Sequence, residues 1–178
     1  MTTPNVSLKE LTAGIRDVPD FPKPGILFKD ITPVLADPRL FAGSIELLTE
    51  DIKPGSVDAV VGIDARGFIF ASAAAYRLKC GLVPVRKKGK LPFTTFEENY
   101  DLEYGSNTMA IHTDALKPGS RVVLIDDLLA TGGTSLAAAN LLRRLNVQLL
   151  QITFLIELSF LKGRDRLKDC KVRSLVVY

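Results

Sequence analysis

The chain is predicted to be an α/β protein, a mostly parallel twisted sheet flanked by helices, and three observations carry that expectation. Strand-like segments alternate with helical ones, as parallel strands joined by crossover helices do. Runs such as V-V-L-I, Val122 to Ile125, are apolar without alternation, as in strands covered on both faces. The 178 residues, 47% hydrophobic and 24% charged, are enough for one domain with a substantial core. Residues 1–178 are therefore expected to form a single domain, with or without a small appendage.

The elements follow in order. S-L-K-E, Ser7 to Glu10, has the spacing of a capping box and opens a short helix through Arg16. D-F-P-K-P-G-I, Asp20 to Ile26, is denied helical hydrogen bonds by its prolines and is expected to be extended. Asp37-Pro38 reads as an N-cap with proline at the first helical position, starting a helix to about Glu50. Lys53-Pro54-Gly55 makes a turn. V-D-A-V-V-G-I-D is a strand ending near Asp64, the alanine-rich run from about Gly67 to Leu78 a helix, and Leu82 to Arg86 a strand. Residues 87–105 are polar, carry scattered aromatics and lack a period, so a lid or binding loop is expected there. Asn107 to His112 alternates like a strand and gives the lone His112 a structural place. After the turn at Lys117-Pro118-Gly119 come a strand from Arg121 to Ile125, a helix from Thr134 to Leu145 and a strand from Val147 to Leu158. A short helix and the strand S-L-V-V-Y close the chain.

Composition excludes several classes. No run approaches the ~20 apolar residues of a membrane span, and M-T-T-P-N-V-S lacks the regions of a secretory signal. Cys80 and Cys170 form no C-x-x-C, which speaks against a disulfide framework or zinc site and for a reducing cytoplasm. A net charge of +3 is too mild to argue for nucleic acid. The one basic cluster, R-K-K-G-K from Arg86 to Lys90, is by itself either a solvated loop or an anion site.

In a sheet of this kind ligands bind beyond the carboxyl ends of the strands. Two motifs fall there: D-A-R-G after Ile63 and D-D-L-L-A-T-G-G-T after Ile125. The glycines of the second let backbone N–H groups approach an anion, the following helix presents unpaired donors, and Thr131, Thr134 and Ser135 add hydroxyls. This suits a phosphate, although neither a Walker A loop nor a dinucleotide fingerprint is present. The alternative is an ordinary capping turn with incidental glycines. Asp126 and Asp127 are able to accept from a ribose diol and to hold hydrated Mg²⁺. A solvated acidic pair near a helix start is the alternative for them.

I-D-D-L-L-A-T-G-G-T-S resembles the phosphoribosyl-pyrophosphate signature of the type I phosphoribosyltransferases. Five further segments resemble the adenine phosphoribosyltransferase family, in order and across nearly the whole chain: D-F-P-K-P-G-I-L-F-K-D-I-T-P, G-I-D-A-R-G-F, R-K-K-G-K-L-P, Y-D-L-E-Y-G and L-I-E-L-S-F-L-K-G-R. The resemblance implies the type I phosphoribosyltransferase fold, in which residues 1–35 contribute a base-binding hood and a flexible catalytic loop covers the site. It implies Mg²⁺-dependent transfer of the 5-phosphoribosyl group from phosphoribosyl pyrophosphate to adenine, giving AMP and pyrophosphate in purine salvage, by a cytoplasmic homodimer with no nucleic-acid or membrane partner.

Residue by residue, the resemblance implies that Ala130, Thr131, Gly132, Gly133 and Thr134 hold the 5′-phosphate and that Asp126 and Asp127 hold the ribose and, through water or the substrate, Mg²⁺. Asp64, Ala65 and Arg66 form a pyrophosphate loop with a non-proline cis peptide at Asp64-Ala65. Arg86, Lys87 and Lys90 meet the pyrophosphate end, in part across the dimer. Leu27, Phe28 and Lys29 read adenine largely through backbone groups, with Phe28 stacking on one ring face and Leu158 lying on the other. Lys29 departs from the arginine common in the family. Glu103 is implied as the general acid/base, with Tyr104 beside it on the loop, and Arg66 as its catalytic companion. The rivals are a 6-oxopurine transferase, whose signature carries an aspartate where this chain has Ala130, and a phosphoribosyl-pyrophosphate-binding regulator, for which no nucleic-acid-binding appendage is evident.

Overall fold

The computed structural model describes residues 6–101 and 106–178. The chain divides into two compact units, one up to Leu47 and one from Leu48 to Tyr178.

The first unit opens with helix α1 (Leu8–Gly14), held by the expected capping box: the Ser7 hydroxyl accepts from the Glu10 N–H while the Glu10 carboxylate accepts from the Ser7 N–H. This box and Arg39 lower the Glu10 pKa to about 2. The helix stops at Gly14, short of Arg16, because Arg16–Pro19 forms strand β1 and pairs antiparallel with strand β2, Leu27–Asp30. Neither strand is legible from apolar alternation; the pair is held instead by ladder bonds and by ion pairs between directly opposed residues, Arg16–Asp30 and Asp17–Lys29. The segment between them is irregular, with a cis peptide bond at Phe21-Pro22. A short helix α2 (Thr32–Ala36) precedes α3 (Pro38–Leu48), where Asp37 accepts from the Arg39 and Leu40 N–H groups as an N-cap should.

The second unit is a seven-stranded sheet in the order β5-β6-β4-β3-β7-β8-β9. Its strands are β3 (Ala59–Ile63), β4 (Gly81–Lys87), β5 (Thr95–Asp101), β6 (Ser106–His112), β7 (Arg121–Leu129), β8 (Gln148–Glu157) and β9 (Val172–Val177). Strands β4, β3, β7, β8 and β9 run parallel, and β6 and β5 are an antiparallel extension at one edge. Helix α4 (Gly67–Leu78) packs on β3, β7 and β4, while α5 (Gly133–Arg144) packs on β5, β6 and β8. Val61, Ile63, Val122 and Leu124 share one buried cluster with the apolar side of α5. Val60, Val123 and Ile125 are equally buried, and the two-residue period of a strand turns them to the opposite face. The sheet is thus covered on both sides, as the unbroken apolar runs require.

Two expectations are corrected. Residues 87–105 are not one irregular loop, since Thr95–Asp101 is strand β5; its alternation is hidden because Glu98, between Phe96 and Tyr100 on one face, accepts from Asn140 of α5 instead of joining an apolar stripe. Strand β7 does not end at Ile125. It runs to Leu129 because β8 continues beside it, Leu128 opposite Ile156 and Leu129 opposite Glu157, so both aspartates lie within the strand. No helix among the described residues is long and apolar enough to cross a membrane.

Candidate active site

The carboxyl ends of β3 and β7 border a cavity of about 280 Å³. Its lining includes Asp64, Ala65 and Arg66 from the first strand end, Asp126 and Asp127 from the second, and Ala130 through Ser135 from the turn into α5. The two motifs read from sequence therefore form one site. Every residue expected for the ribose and the 5′-phosphate lines it, together with Ile63, Leu128 and Ser135.

The donors that the turn presents follow from the chain geometry. Gly132 sits at φ +80°, a left-handed conformation that glycine adopts without steric cost. It is the N-cap of α5, and no side chain caps that helix. The first N–H groups of a helix have no partner within it, so this end presents free donors and the positive end of the helix dipole to the cavity. The N-terminus of α1, by contrast, is closed by Ser7 and Glu10, while α4, whose N-cap Arg66 lines the same cavity, also lacks a side-chain cap.

Asp126 and Asp127 are each only 7% exposed. Asp126 Oδ1 accepts from the Asp127 N–H at 2.9 Å, and Asp127 Oδ2 pairs with Arg66 Nε at 2.7 Å. Burial, and then the Asp127 charge, push the Asp126 carboxyl well above the ordinary carboxylate range. Burial raises Asp127 also, against the opposing pull of Arg66. Among the described lining residues three are carboxylates and one is a cation. Such a surface calls for hydrogen-bond donors and positive charge from a ligand.

The Asp64-Ala65 peptide bond is cis. Asp64 turns back to the basic cluster, its Oδ2 accepting from Arg86 Nε at 3.1 Å, and Arg86 Nη1 donates to the Lys90 carbonyl at 3.0 Å. Arg86 is thereby linked to the cavity through Asp64, whereas Lys87, the last residue of β4, and Lys90, on the turn after it, are exposed and are not in its lining. Lys88 is ion-paired to Glu97 at 2.7 Å.

In the first unit, Val18, Phe21, Phe28 and Asp30 line a second cavity of about 270 Å³. The Phe21 and Phe28 rings meet edge to face, 5.1 Å between centroids. Leu27 is exposed, and Lys29 Nζ is 2.6 Å from Asp17 Oδ1 on the opposing strand. Leu158 follows β8, its N–H bonded to the Leu129 carbonyl. Glu103 and Tyr104 lie outside the described residues.

Sequence reasoning missed Gly163. A Cβ there would collide with the Ala130 carbonyl oxygen and approach Gly132 N to 2.9 Å, so the backbone at Gly163 lies directly behind the turn that leads into α5. The only signal was the K-G-R run itself.

The arrangement has a counterpart among known proteins. The model of the phosphoribosyl transferase domain matches residues 31–176. An adenine phosphoribosyltransferase of Acidothermus cellulolyticus is 53% identical over 174 residues, 97% of this chain and 98% of that protein. The chain belongs to the adenine phosphoribosyltransferase family. Among solved structures, the adenine phosphoribosyltransferase of Thermoanaerobacter pseudethanolicus superposes with a TM-score of 0.92 at 49% identity, over 97% of this chain and 100% of that one. The adenine phosphoribosyltransferase of Saccharomyces cerevisiae, solved with an imino-altritol bisphosphate and adenine, gives 0.90 at 41% identity over 94% and 97%. Membership in the family accounts for the sheet order with its antiparallel edge as well as for the mostly parallel core.

Proposed function

We propose that the chain transfers the 5-phosphoribosyl group from phosphoribosyl pyrophosphate to adenine, giving AMP and pyrophosphate, as a step of purine salvage. The observation that carries this reading is the cavity where the uncapped N-terminus of α5 and two buried adjacent carboxylates converge. A phosphate is suited to the first and a vicinal diol to the second. The near-full-length likeness to adenine phosphoribosyltransferases supports adenine as the base.

In this reading the N–H groups and hydroxyls of the 130–134 turn take the 5′-phosphate, and Asp126 and Asp127 accept from the ribose hydroxyls. The same two carboxylates are hard oxygen donors that fit Mg²⁺. Among the described residues no group of three or more His, Cys, Asp or Glu forms a metal cage, which fits an ion shared with substrate oxygens. Mg²⁺ would supply charge neutralisation for the departing pyrophosphate. Arg66 adds a fixed positive charge beside Asp127, and Arg86, Lys87 and Lys90 provide further charge at the pyrophosphate end, in part across a homodimer. Loss of pyrophosphate leaves an oxocarbenium-like C1, as in glycoside transfer. Phe28 and Leu158 would hold the purine so that its ring nitrogen attacks C1, with Leu27 and Lys29 reading the base through their backbone groups. Glu103 would take up the purine proton, a contribution of ~10²–10⁴-fold. The cytoplasm is the proposed compartment.

A panel of bases assayed with phosphoribosyl pyrophosphate and Mg²⁺ tests the reading. AMP formation from adenine is expected, with hypoxanthine and guanine poorer by roughly 10⁴-fold in kcat/KM, the scale at which a site built to hydrogen-bond one edge rejects an unmatched one. Comparable turnover of hypoxanthine would overturn the adenine assignment.

A further inference from the structure

The segment after β8 contains a polar network that the proposed reaction does not use. Glu157, the last residue of β8, is 5% exposed, so its carboxylate is buried at the active-site end of the sheet. Arg164 grips it with a two-pronged contact, Nε donating to Oε1 at 3.0 Å and Nη2 to Oε2. The Ser174 hydroxyl donates to Oε2 at 2.6 Å, and Arg164 Nη1 donates to the Val172 carbonyl at 2.9 Å. Arg164, with Ser174, holds the Glu157 carboxyl below the ordinary range, while Glu157 raises Arg164, so the pair stays ionised at neutral pH.

Residues 158–163, spanned by this ion pair, are otherwise tied at their start. The Leu158 N–H bonds to the Leu129 carbonyl, and the Ser159 N–H and hydroxyl both bond to the Tyr178 carbonyl. At the far end, Lys162 is left-handed at φ 54° and Gly163 presses its backbone against Ala130 and Gly132. A contact made by backbone atoms on both sides has no flexible side-chain end to absorb a shift. Displacement of Gly163 is therefore transmitted to the phosphate-binding turn.

We infer that Glu157 and Arg164 are positioning residues for the 5′-phosphate: their ion pair fixes the 158–163 segment, whose Gly163 backs the Ala130–Gly132 turn. The inference rests on the phosphoribosyl reading of that turn. A point charge cannot reproduce the planar two-pronged contact, so lysine at 164 keeps the charge and loses the geometry.

The test measures the Kd of ribose 5-phosphate and the Kd of adenine by separate calorimetric titrations of the purified whole chain and of Arg164→Lys. Arg164→Lys is expected to weaken ribose 5-phosphate by about 10-fold or more, the usual scale when a group that orients a binding residue is lost, and to leave adenine within about twofold. Guanidinium ion added to Arg164→Ala is expected to restore part of the lost affinity. A purely structural role would lower the active fraction and leave the Kd of the folded remainder unchanged. That outcome, or equal losses for both ligands, overturns the inference. Should the Arg164 variants not fold, Ser174→Ala removes one donor to Glu157 and is expected to weaken ribose 5-phosphate in the same selective way, at about threefold for a single hydrogen bond; unchanged affinity there counts against the inference. Wild-type protein that binds no ribose 5-phosphate and makes no AMP would instead overturn the phosphoribosyl reading.

Discussion

Asp126 and Asp127 occupy positions where a sequence filled for stability alone would place apolar side chains. Both were legible as candidates because two carboxylates next to V-V-L-I demand a reason. Their placement inside β7 was not legible, since charge normally marks a strand end, and only the continuation of β8 carries the ladder past them. Burial and mutual repulsion raise Asp126 above its ordinary 3.8, so between that value and the raised one the folded chain holds a proton that the unfolded chain has released. Ligand-free stability therefore falls as pH rises through that window. Asp126→Asn cannot ionise and keeps an oxygen to accept the Asp127 N–H. It is expected to melt higher than the wild type at pH 7.5, with the difference shrinking as pH falls toward 4, and to lose roughly 10- to 100-fold in kcat/KM for phosphoribosyl pyrophosphate, the worth of hydrogen bonds to a charged group. Thermal melts across that pH range check the first statement and steady-state kinetics the second. Lys29 gives the opposite lesson: its departure from arginine was visible in the sequence, but its partner Asp17 is set by strand register, which short polar strands do not announce.

At the scale of elements, the three long helices α3, α4 and α5 and the parallel strands were readable because each buries apolar residues with the right period, whereas the five-residue α2 is too short to show one. Strand β5 was not, because the apolar packing of Phe96 and Tyr100 is interrupted by polar contacts with α5. Arg144 lies 4.5 Å over the Phe96 ring and donates to the Glu97 carbonyl at 2.7 Å, and Asn140 donates to Glu98 at 2.8 Å. The β5–β6 pair is thus pinned to α5, the helix whose N-terminus borders the cavity. The cation–π contact and one hydrogen bond together are worth about 1–2 kcal/mol. Arg144→Ala is expected to release the pair locally, with β5 and β6 amides exchanging with deuterium roughly tenfold faster while β7 and β8 amides keep their protection. Exchange mapped along the chain checks this; uniform acceleration in all four strands would show that the pin serves the whole sheet instead.

For the molecule as a whole, the proposed function has strand β7 divide the work between stability and chemistry along its length. Val122 to Ile125 lie in the middle of a sheet covered on both faces, and Leu124 is 0% exposed. Two residues further on, on the same face by strand period, stands Asp126, where burial opposes folding instead of favouring it. Substitutions at these neighbouring positions should therefore act with opposite signs. Leu124→Ala removes apolar contacts and leaves a cavity that tightly packed neighbours fill only in part, so a loss of about 2–5 kcal/mol is expected. Urea titrations with an unchanged m-value would register it as a shift in midpoint. Because Leu124 does not line the cavity, AMP formation per folded molecule should stay within about twofold of wild type, as for substitutions that share no partners with the site. Asp126→Asn is expected to show the mirror image, a higher midpoint with impaired transfer. Leu124→Ala with impaired kcat/KM at full folding would show that core packing sets the site geometry through the strand, and the division of labour along β7 would fail.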